Sequence, residues 1–132
     1  MRQYPSRPWG TVLLTAVLSI PVAGCGKSDM PALGQVSGTV TLDSQPLAAA
    51  TVYFQPEVGK QSQGRTDAEG RYELNYLRET MGAVVGPHTV SIVTASELAP
   101  EERLPPRYNF QTTLTAEVTP GANTIDFPLE MQ

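Results

Sequence analysis

Alternating apolar and polar residues recur along most of the chain. In the first stretch Val36, Val40 and Leu42 alternate with serine and threonine, a period of two that is typical of a strand with one buried face. The same period recurs in four further stretches, at Val52 and Phe54, at Val90 and Ile92, at Leu114, Ala116 and Val118, and at Ile125, Phe127 and Leu129. No segment has a convincing helical period, and Pro100 interrupts the best candidate, residues 96–104. The pattern therefore predicts an all-β domain.

Turn-forming residues separate these stretches. Residues 43–46 (DSQP) follow the first predicted strand, and Pro120-Gly121 precedes the last. Between them, Asp67 is placed to cap a tight turn and Gly70 to adopt positive φ, which predicts a hairpin. Seven short strands separated in this way favour a single antiparallel β-sandwich. Residues 35–132, about 98 in number, are enough for one modest core but not for two domains.

The first residues have a different pattern. Arg2 and Arg7 precede an uncharged run, within which residues 11–22 are mostly apolar. A basic start, an apolar run and then small residues form the layout of a secretory signal. The apolar run is shorter than the roughly 20 residues that a transmembrane helix needs. We therefore interpret residues 1–24 as a signal peptide of an exported protein.

The end of this segment, Val22-Ala23-Gly24-Cys25, resembles the lipobox of bacterial lipoproteins. The resemblance implies cleavage before Cys25, a diacylglyceryl group on its sulfur, and acylation of the new terminus by a chain such as palmitate. Residues 25–34 would then be a lipidated, flexible tether. The alternative is an ordinary signal peptide that is cleaved nearby and leaves an unpaired thiol.

A lipid anchor predicts a protein that stays on a membrane surface, facing the periplasm or the cell exterior. More than one acyl chain is needed for lasting attachment, and the lipobox resemblance implies more than one. In lipoproteins of double-membraned bacteria an aspartate after the cysteine favours the inner membrane. Gly26 stands there instead, which favours the outer membrane.

The charge of the mature chain argues against some partners. The whole-chain charge of −4 becomes −6 once the +2 of Arg2 and Arg7 is removed with the signal. A net acidic domain without a basic stripe is a poor binder of nucleic acid, so we expect no nucleic-acid partner.

Three stretches resemble the carboxypeptidase regulatory-like domain: SGTVTLDSQPLAAATVYF, GRTDAEGRYEL and GPHTVSIV. Together they cover residues 36–93. The resemblance implies a prealbumin-like (transthyretin-like) β-sandwich of seven strands in Greek-key order. Two features depart from the family pattern: Ala49 stands where glycine is frequent, and a long loop, residues 95–106, follows the last matching strand.

The residue types present do not favour catalysis. His88 is the only histidine, whereas a zinc peptidase site normally needs two histidines and a carboxylate. We expect His88 to lie on a strand face with its ring partly solvated. Asp67 and Glu69 allow a calcium-binding interpretation, but a solvated turn is the favoured one. The sequence thus predicts no enzyme, no cofactor and no metal site.

The long loop is the best candidate for an interaction surface. Its charged residues, with a neighbouring tyrosine, are Glu97, Glu101, Glu102, Arg103 and Tyr108. Loops of this length are uncommon and often functional, although a solvated crossover between the sheets is the alternative. We expect a lipid-anchored cell-envelope module with a structural or protein-interaction role, or alternatively a module that binds a small ligand or carbohydrate. Its partner, an envelope protein or a glycan, and its oligomeric state stay open.

Overall fold

β-Strands make up most of the regular secondary structure in the part of the chain that the structure describes. This computed structural model describes residues 30–132, together with Gln3. The predicted signal peptide, the lipobox residues Val22, Ala23 and Gly24, and the lipidation site Cys25 lie outside the described residues. Within residues 30–132 no helix has the length and hydropathy that crossing a bilayer would require.

Twelve strands and one turn of 3₁₀ helix are formed by residues 30–132. The strands are β1 (Leu33–Leu42), β2 (Gln45–Pro46), β3 (Thr51–Pro56), β4 (Ser62–Arg65), β5 (Arg71–Glu73), β6 (Asn75–Leu77), β7 (Thr80–Met81), β8 (Ala83–Val84), β9 (Gly86–Val93), β10 (Thr115–Val118), β11 (Gly121–Thr124) and β12 (Phe127–Leu129). The 3₁₀ turn spans Pro106–Tyr108. β1 begins two residues before the predicted start of the folded domain at residue 35.

The first sheet is built around β1. On one side β1 pairs with β8, β5 and β2, all antiparallel. On its other side it pairs with β11 and then β12, both parallel, with Val36 opposite Asn123 and Val40 opposite Phe127. The prediction was of antiparallel pairing, which holds for the other strand pairs of the described residues but not for these two. Alternation of side chains has the same period in both arrangements, so the sequence pattern carries no information on strand direction.

The second sheet is antiparallel, in the order β10-β9-β3-β4-β6-β7. Its longest pair joins β3 to β9, from Thr51 opposite Val93 to Pro56 opposite His88. The chain crosses between the sheets after β2, β4, β5, β7, β8 and β10, so β5 and β8 each lie in a different sheet from the strands on either side of them in the sequence.

The core lies between the two sheets, as the alternation predicts for an all-β sandwich. The buried apolar residues are Val36, Val40, Leu47, Ala50, Val52, Phe54, Tyr72, Leu74, Tyr76, Ala83, Val90, Ile92, Leu104, Tyr108, Val118, Phe127 and Leu129. Four predicted positions, Leu42, Leu114, Ala116 and Ile125, are only partly buried and pack against this core. The rings of Phe54 and Phe127, from opposite sheets, meet edge to face with centroids 6.0 Å apart.

The predicted turn at Asp67 to Gly70 forms, but the predicted hairpin is wrong. The Asp67 Oδ1 accepts hydrogen bonds from the Glu69 and Arg71 N–H groups, both at 2.9 Å. Gly70 has φ of 76°, and a Cβ there would lie 2.5 Å from the Val40 carbonyl oxygen. The turn nevertheless joins β4 of the second sheet to β5 of the first, so it links the two layers.

Ala49 has a backbone conformation that suits glycine better than alanine. Its φ is 58°, in the left-handed region that costs an L-residue with a Cβ about 1 kcal/mol. The conformation is retained because the neighbouring backbone is fixed: the Ala49 and Ala50 N–H groups donate to the carbonyl and hydroxyl oxygens of Thr66. The positive φ of Ala49 is therefore a local strain held in place by the surrounding backbone.

We predict that Ala49→Gly stabilises the domain by about 0.5–1 kcal/mol, because relief of the left-handed strain exceeds the added chain entropy of the unfolded state. The measurement is the urea midpoint of unfolding. Ala48→Gly is the matched control, since Ala48 is exposed and is not among the positive-φ residues. It should lower the midpoint slightly, and a midpoint that falls equally in both variants would contradict the assignment of strain.

Candidate functional site

The charged loop, residues 95–106, lies at the end of the sandwich opposite to the point where residue 30 enters. β9 begins beside the amino-terminal strand, where the Val85 N–H donates to the Ala32 carbonyl oxygen at 2.9 Å. Eight residues later β9 ends at Val93, and the loop starts. At about 3.3 Å per residue, β9 separates the two ends by roughly 26 Å.

Glu102 fixes this loop to the end of β9. Both of its carboxylate oxygens accept a hydrogen bond from the Thr94 N–H at 3.0 Å, and the Thr94 hydroxyl donates to Oε1 at 2.5 Å. The Ala95 and Leu104 N–H groups donate as well, at 3.2 and 3.0 Å. One carboxylate thus satisfies the main-chain donors at both ends of the loop. Glu102, which the sequence predicts as part of an interaction surface, thus fastens the loop, and we call these hydrogen bonds the Glu102 staple.

The protonation of Glu102 reflects these bonds. Burial raises the pKa of the Glu102 carboxyl, but the hydrogen bonds from Thr94, Leu104 and Ala95 outweigh burial and hold this pKa below its ordinary value of 4.5. The carboxylate is therefore ionised, and the staple intact, at neutral pH.

The tip of the loop presents a leucine to solvent. Ser96 and Ala99 close a tight turn through reciprocal main-chain hydrogen bonds of 2.8 and 3.2 Å. Leu98, within this turn, is 98% exposed. Glu97 and Arg103 line the same shallow hollow of about 460 Å³. The predicted residues Glu97 and Arg103 thus line one hollow together with Leu98. The prediction, which was based on charged residues, did not include this leucine.

Tyr108 does not belong to this surface. It is only 9% exposed, and its hydroxyl oxygen accepts a hydrogen bond from the Glu130 N–H at 2.9 Å. The Arg107 guanidinium lies over its ring, 4.8 Å from the centroid. The 3₁₀ turn directs the ring into the core, so its role is to attach the loop to the carboxyl-terminal strand. Its predicted place on the surface is wrong.

His88 also differs from expectation, because it is buried, with 3% exposure. Its Nε2 lies 2.6 Å from the Val84 carbonyl oxygen, and its ring centroid is 5.4 Å from that of Phe54. Its Nδ1 has no hydrogen-bond partner in the described residues. The period of two that places Val90 and Ile92 inward places His88 inward as well. The alternation along this strand therefore indicated that His88 is buried.

The acidic turn has the geometry of a structural cap. Besides the two N–H groups bonded to its Oδ1, Asp67 has an oxygen 3.6 Å from the Arg71 Nε. The hydrogen bond from the Arg71 N–H is the main cause that lowers the pKa of Asp67 below 3.8. Among the described residues, no group of three or more histidine, cysteine, aspartate or glutamate side chains is placed to hold a metal ion.

A polar groove that the sequence did not indicate crosses the outer face of the first sheet. It has a volume of about 810 Å³, and its lining includes the side chains of Ser37, Thr39, Arg71, Glu73, Thr124 and Asp126. At its base the Tyr72 hydroxyl donates to the Ile125 carbonyl oxygen at 2.5 Å. Burial, helped by the nearby Asp126 charge, raises the pKa of Tyr72 above its ordinary value of 10. The phenol therefore stays protonated, as this bond requires.

Comparisons with other proteins add no functional assignment. No protein-family model matches the chain, and a search of curated proteins finds no significant match.

We predict that Glu102→Gln destabilises the domain at pH 7 by about 1 kcal/mol, a charge-assisted hydrogen-bond contribution discounted for solvent screening. Because the folded-state pKa of Glu102 is lowered, its contribution is fully present above 4.5 and is lost as the pH falls through the lower, folded-state value. The difference between the wild type and E102Q, measured by urea unfolding, should therefore shrink in acid.

The control for this measurement is Glu101→Gln, which removes the same charge from the exposed neighbouring residue. E101Q should match the wild type within about 0.5 kcal/mol across the pH range. A difference for E102Q that stays constant down to acid pH would show that the carboxylate is not the group that fastens the loop.

Proposed function

We propose that the protein is an exported, lipid-anchored and non-catalytic module of the cell envelope that binds a protein partner through the tip of the stapled loop. The single observation that carries the partner-binding part is Leu98, which is almost fully exposed on a loop that Glu102 holds in one conformation. The amino-terminal sequence supports the anchor, and the absence of aspartate at position 26 favours the outer membrane.

The chemistry around Leu98 fits a small protein-binding site. Interfaces that bind transiently have an apolar centre and a polar rim. Here Leu98 is the centre, and the exposed side chains of Glu97, Glu101 and Arg103 surround it along the loop. Because the loop is already fastened at both ends, binding loses less conformational entropy than a free loop of this length would lose.

The finer architecture is part of the same proposal. The two-layer all-β arrangement is compatible with the prealbumin-like, Greek-key sandwich that the three motif stretches imply. Two details favour it: the Asp67 turn connects the layers, and Ala49 adopts the conformation for which glycine is suited. Carboxypeptidase regulatory-like domains are attached to catalytic domains but hold no catalytic residues themselves, which agrees with a binding role.

A second candidate function is recognition of a small polar ligand or carbohydrate in the groove over β1. Three hydroxyl groups, from Ser37, Thr39 and Thr124, line the groove together with carboxylates and guanidinium groups, which suits a ligand rich in hydroxyls. The aromatic residue in its lining, Tyr72, is buried and has its hydroxyl engaged. Saturable glycan binding by the delipidated domain would place this function ahead of the first.

The anchor is tested by the intact mass of the protein extracted from membranes of its native host. We expect a terminus at Cys25 that carries a diacylglyceryl group and an additional acyl chain. Cys25→Ala should move the protein from the membrane fraction to the soluble fraction. An unmodified thiol at residue 25, or a mature terminus elsewhere, would contradict the anchor.

The binding surface is tested by affinity capture in detergent, followed by quantitative mass spectrometry. Leu98→Asp should reduce recovery of a specific co-purifying protein about tenfold or more, because a charge replaces the apolar centre of the interface. Phe110→Asp is the matched control, since Phe110 is likewise apolar and 79% exposed but lies outside the loop of residues 95–106. Equal recovery with the wild type and L98D would contradict the proposed surface.

A further inference from the structure

The loop between β3 and β4, residues 57–61, exposes an apolar side chain at its tip. Val58 is 85% exposed, and Glu57 before it and Lys60 two residues after it are exposed as well. Nothing in the fold of residues 30–132 requires valine at such a position, because the side chain contributes little to the core. At a lipid interface, an apolar side chain such as that of Val58 can enter the acyl boundary, and a cationic side chain such as that of Lys60 can contact the phosphate groups.

This loop lies at the end of the sandwich where the chain enters from the amino-terminal side. A Cβ on Gly59 would be 3.4 Å from the Val84 Cγ2, so the loop is adjacent to β8. Val84 in turn pairs with Leu33, the first residue of β1. Met30, the first of the described residues 30–132, is also partly exposed, at 40%.

The number of residues between Cys25 and Met30 limits the distance between a lipid on Cys25 and the end of the sandwich that carries residues 57–61. Cys25 and Met30 are five residues apart in the sequence. A chain of that length spans at most about 18 Å in any conformation. The opposite end of the sandwich is roughly 26 Å further away along β9. The loop at residues 57–61 is therefore within reach of the surface that holds the lipid, whereas the loop at residues 95–106 is not.

We propose that residues 57–61 rest on the lipid surface, with Val58 inserted at the acyl boundary and Lys60 facing the phosphate groups. The inference rests on the proposed lipid anchor at Cys25 and deepens it, because two points of attachment give the module an orientation. Val58 then faces the bilayer, and Leu98, at the other end, faces away from it toward a partner.

The test uses the mature, lipidated protein in phosphatidylcholine and phosphatidylglycerol vesicles whose acyl chains are brominated. Val58→Trp and Leu98→Trp are compared, and each introduces the only tryptophan of the mature protein, because Trp9 is removed with the signal peptide. We expect the V58W emission to shift to the blue and to lose at least half its intensity through bromine quenching. The L98W emission should stay unchanged. Because both side chains are exposed, neither substitution disturbs the core.

A second measurement needs no substitution at either loop. Amide hydrogen exchange of residues 57–61 should slow several-fold when the lipidated protein is bound to vesicles, relative to the delipidated Cys25→Ala protein in solution. Exchange of residues 96–99 should be the same in both.

Each other outcome overturns the inference in a recognisable way. Lipid at Cys25 by intact mass, with neither tryptophan quenched or with both quenched equally, would refute the docking of loop 57–61 and leave the anchor standing. Absence of lipid at Cys25, with no vesicle association, would refute the anchor and the docking together.

Discussion

Strand β1 is the constraint on which the rest of the structure depends. It pairs along both edges, with β8, β5 and β2 on one side and with β11 and β12 on the other. The fit is close: a Cβ on Gly38 would lie 1.8 Å from the Ile125 carbonyl oxygen, and the Tyr72 hydroxyl donates to that same oxygen. Inward-facing Val36 and Val40 meanwhile supply the core. The first sheet, the carboxyl-terminal strands and the core are thus organised by one segment.

The same strand connects the two ends to which we assign functions. β1 has ten residues and spans about 33 Å, from the side of the tether to the turn at Asp43. Close to the far end, Ala49 lines the hollow that also contains Leu98, and the Glu102 staple fastens the loop there. An anchor that precedes β1 would therefore act on a rigid body, and a contact at the loop tip would be held at a fixed height above the bilayer.

The sequence predicts the inner faces of the sheets well, because burial imposes a period of two on each strand. It does not reveal the parallel pairing of β1 with β11 and β12, since that pairing leaves the period unchanged. His88 follows the period inward, but a polar residue type favoured the opposite expectation. The roles of Glu102 and Tyr108 were missed because each depends on partners that the fold brings close, Thr94 for the carboxylate and Glu130 for the phenol.

The polar groove illustrates the same limit. Ser37 and Thr39 are separated from Thr124 and Asp126 by more than 80 residues in the sequence, and only the parallel register of β1 places them on one face. Conversely, the amino-terminal interpretation comes from the sequence alone, because a lipobox is read by enzymes as a local motif and not as a fold. The proposed compartment and the fold thus rest on separate parts of the chain.

The height of the stapled loop above the bilayer tests the central claim most directly. A fluorescent donor attached at residue 98 of the lipidated protein, with acceptors at the lipid headgroups, reports this height by energy transfer. We predict a distance on the order of 30 Å, set by the length of β1. A distance below about 15 Å, half of that length, would show that the body lies flat on the membrane and would contradict the assignment of a lipid end and a partner end.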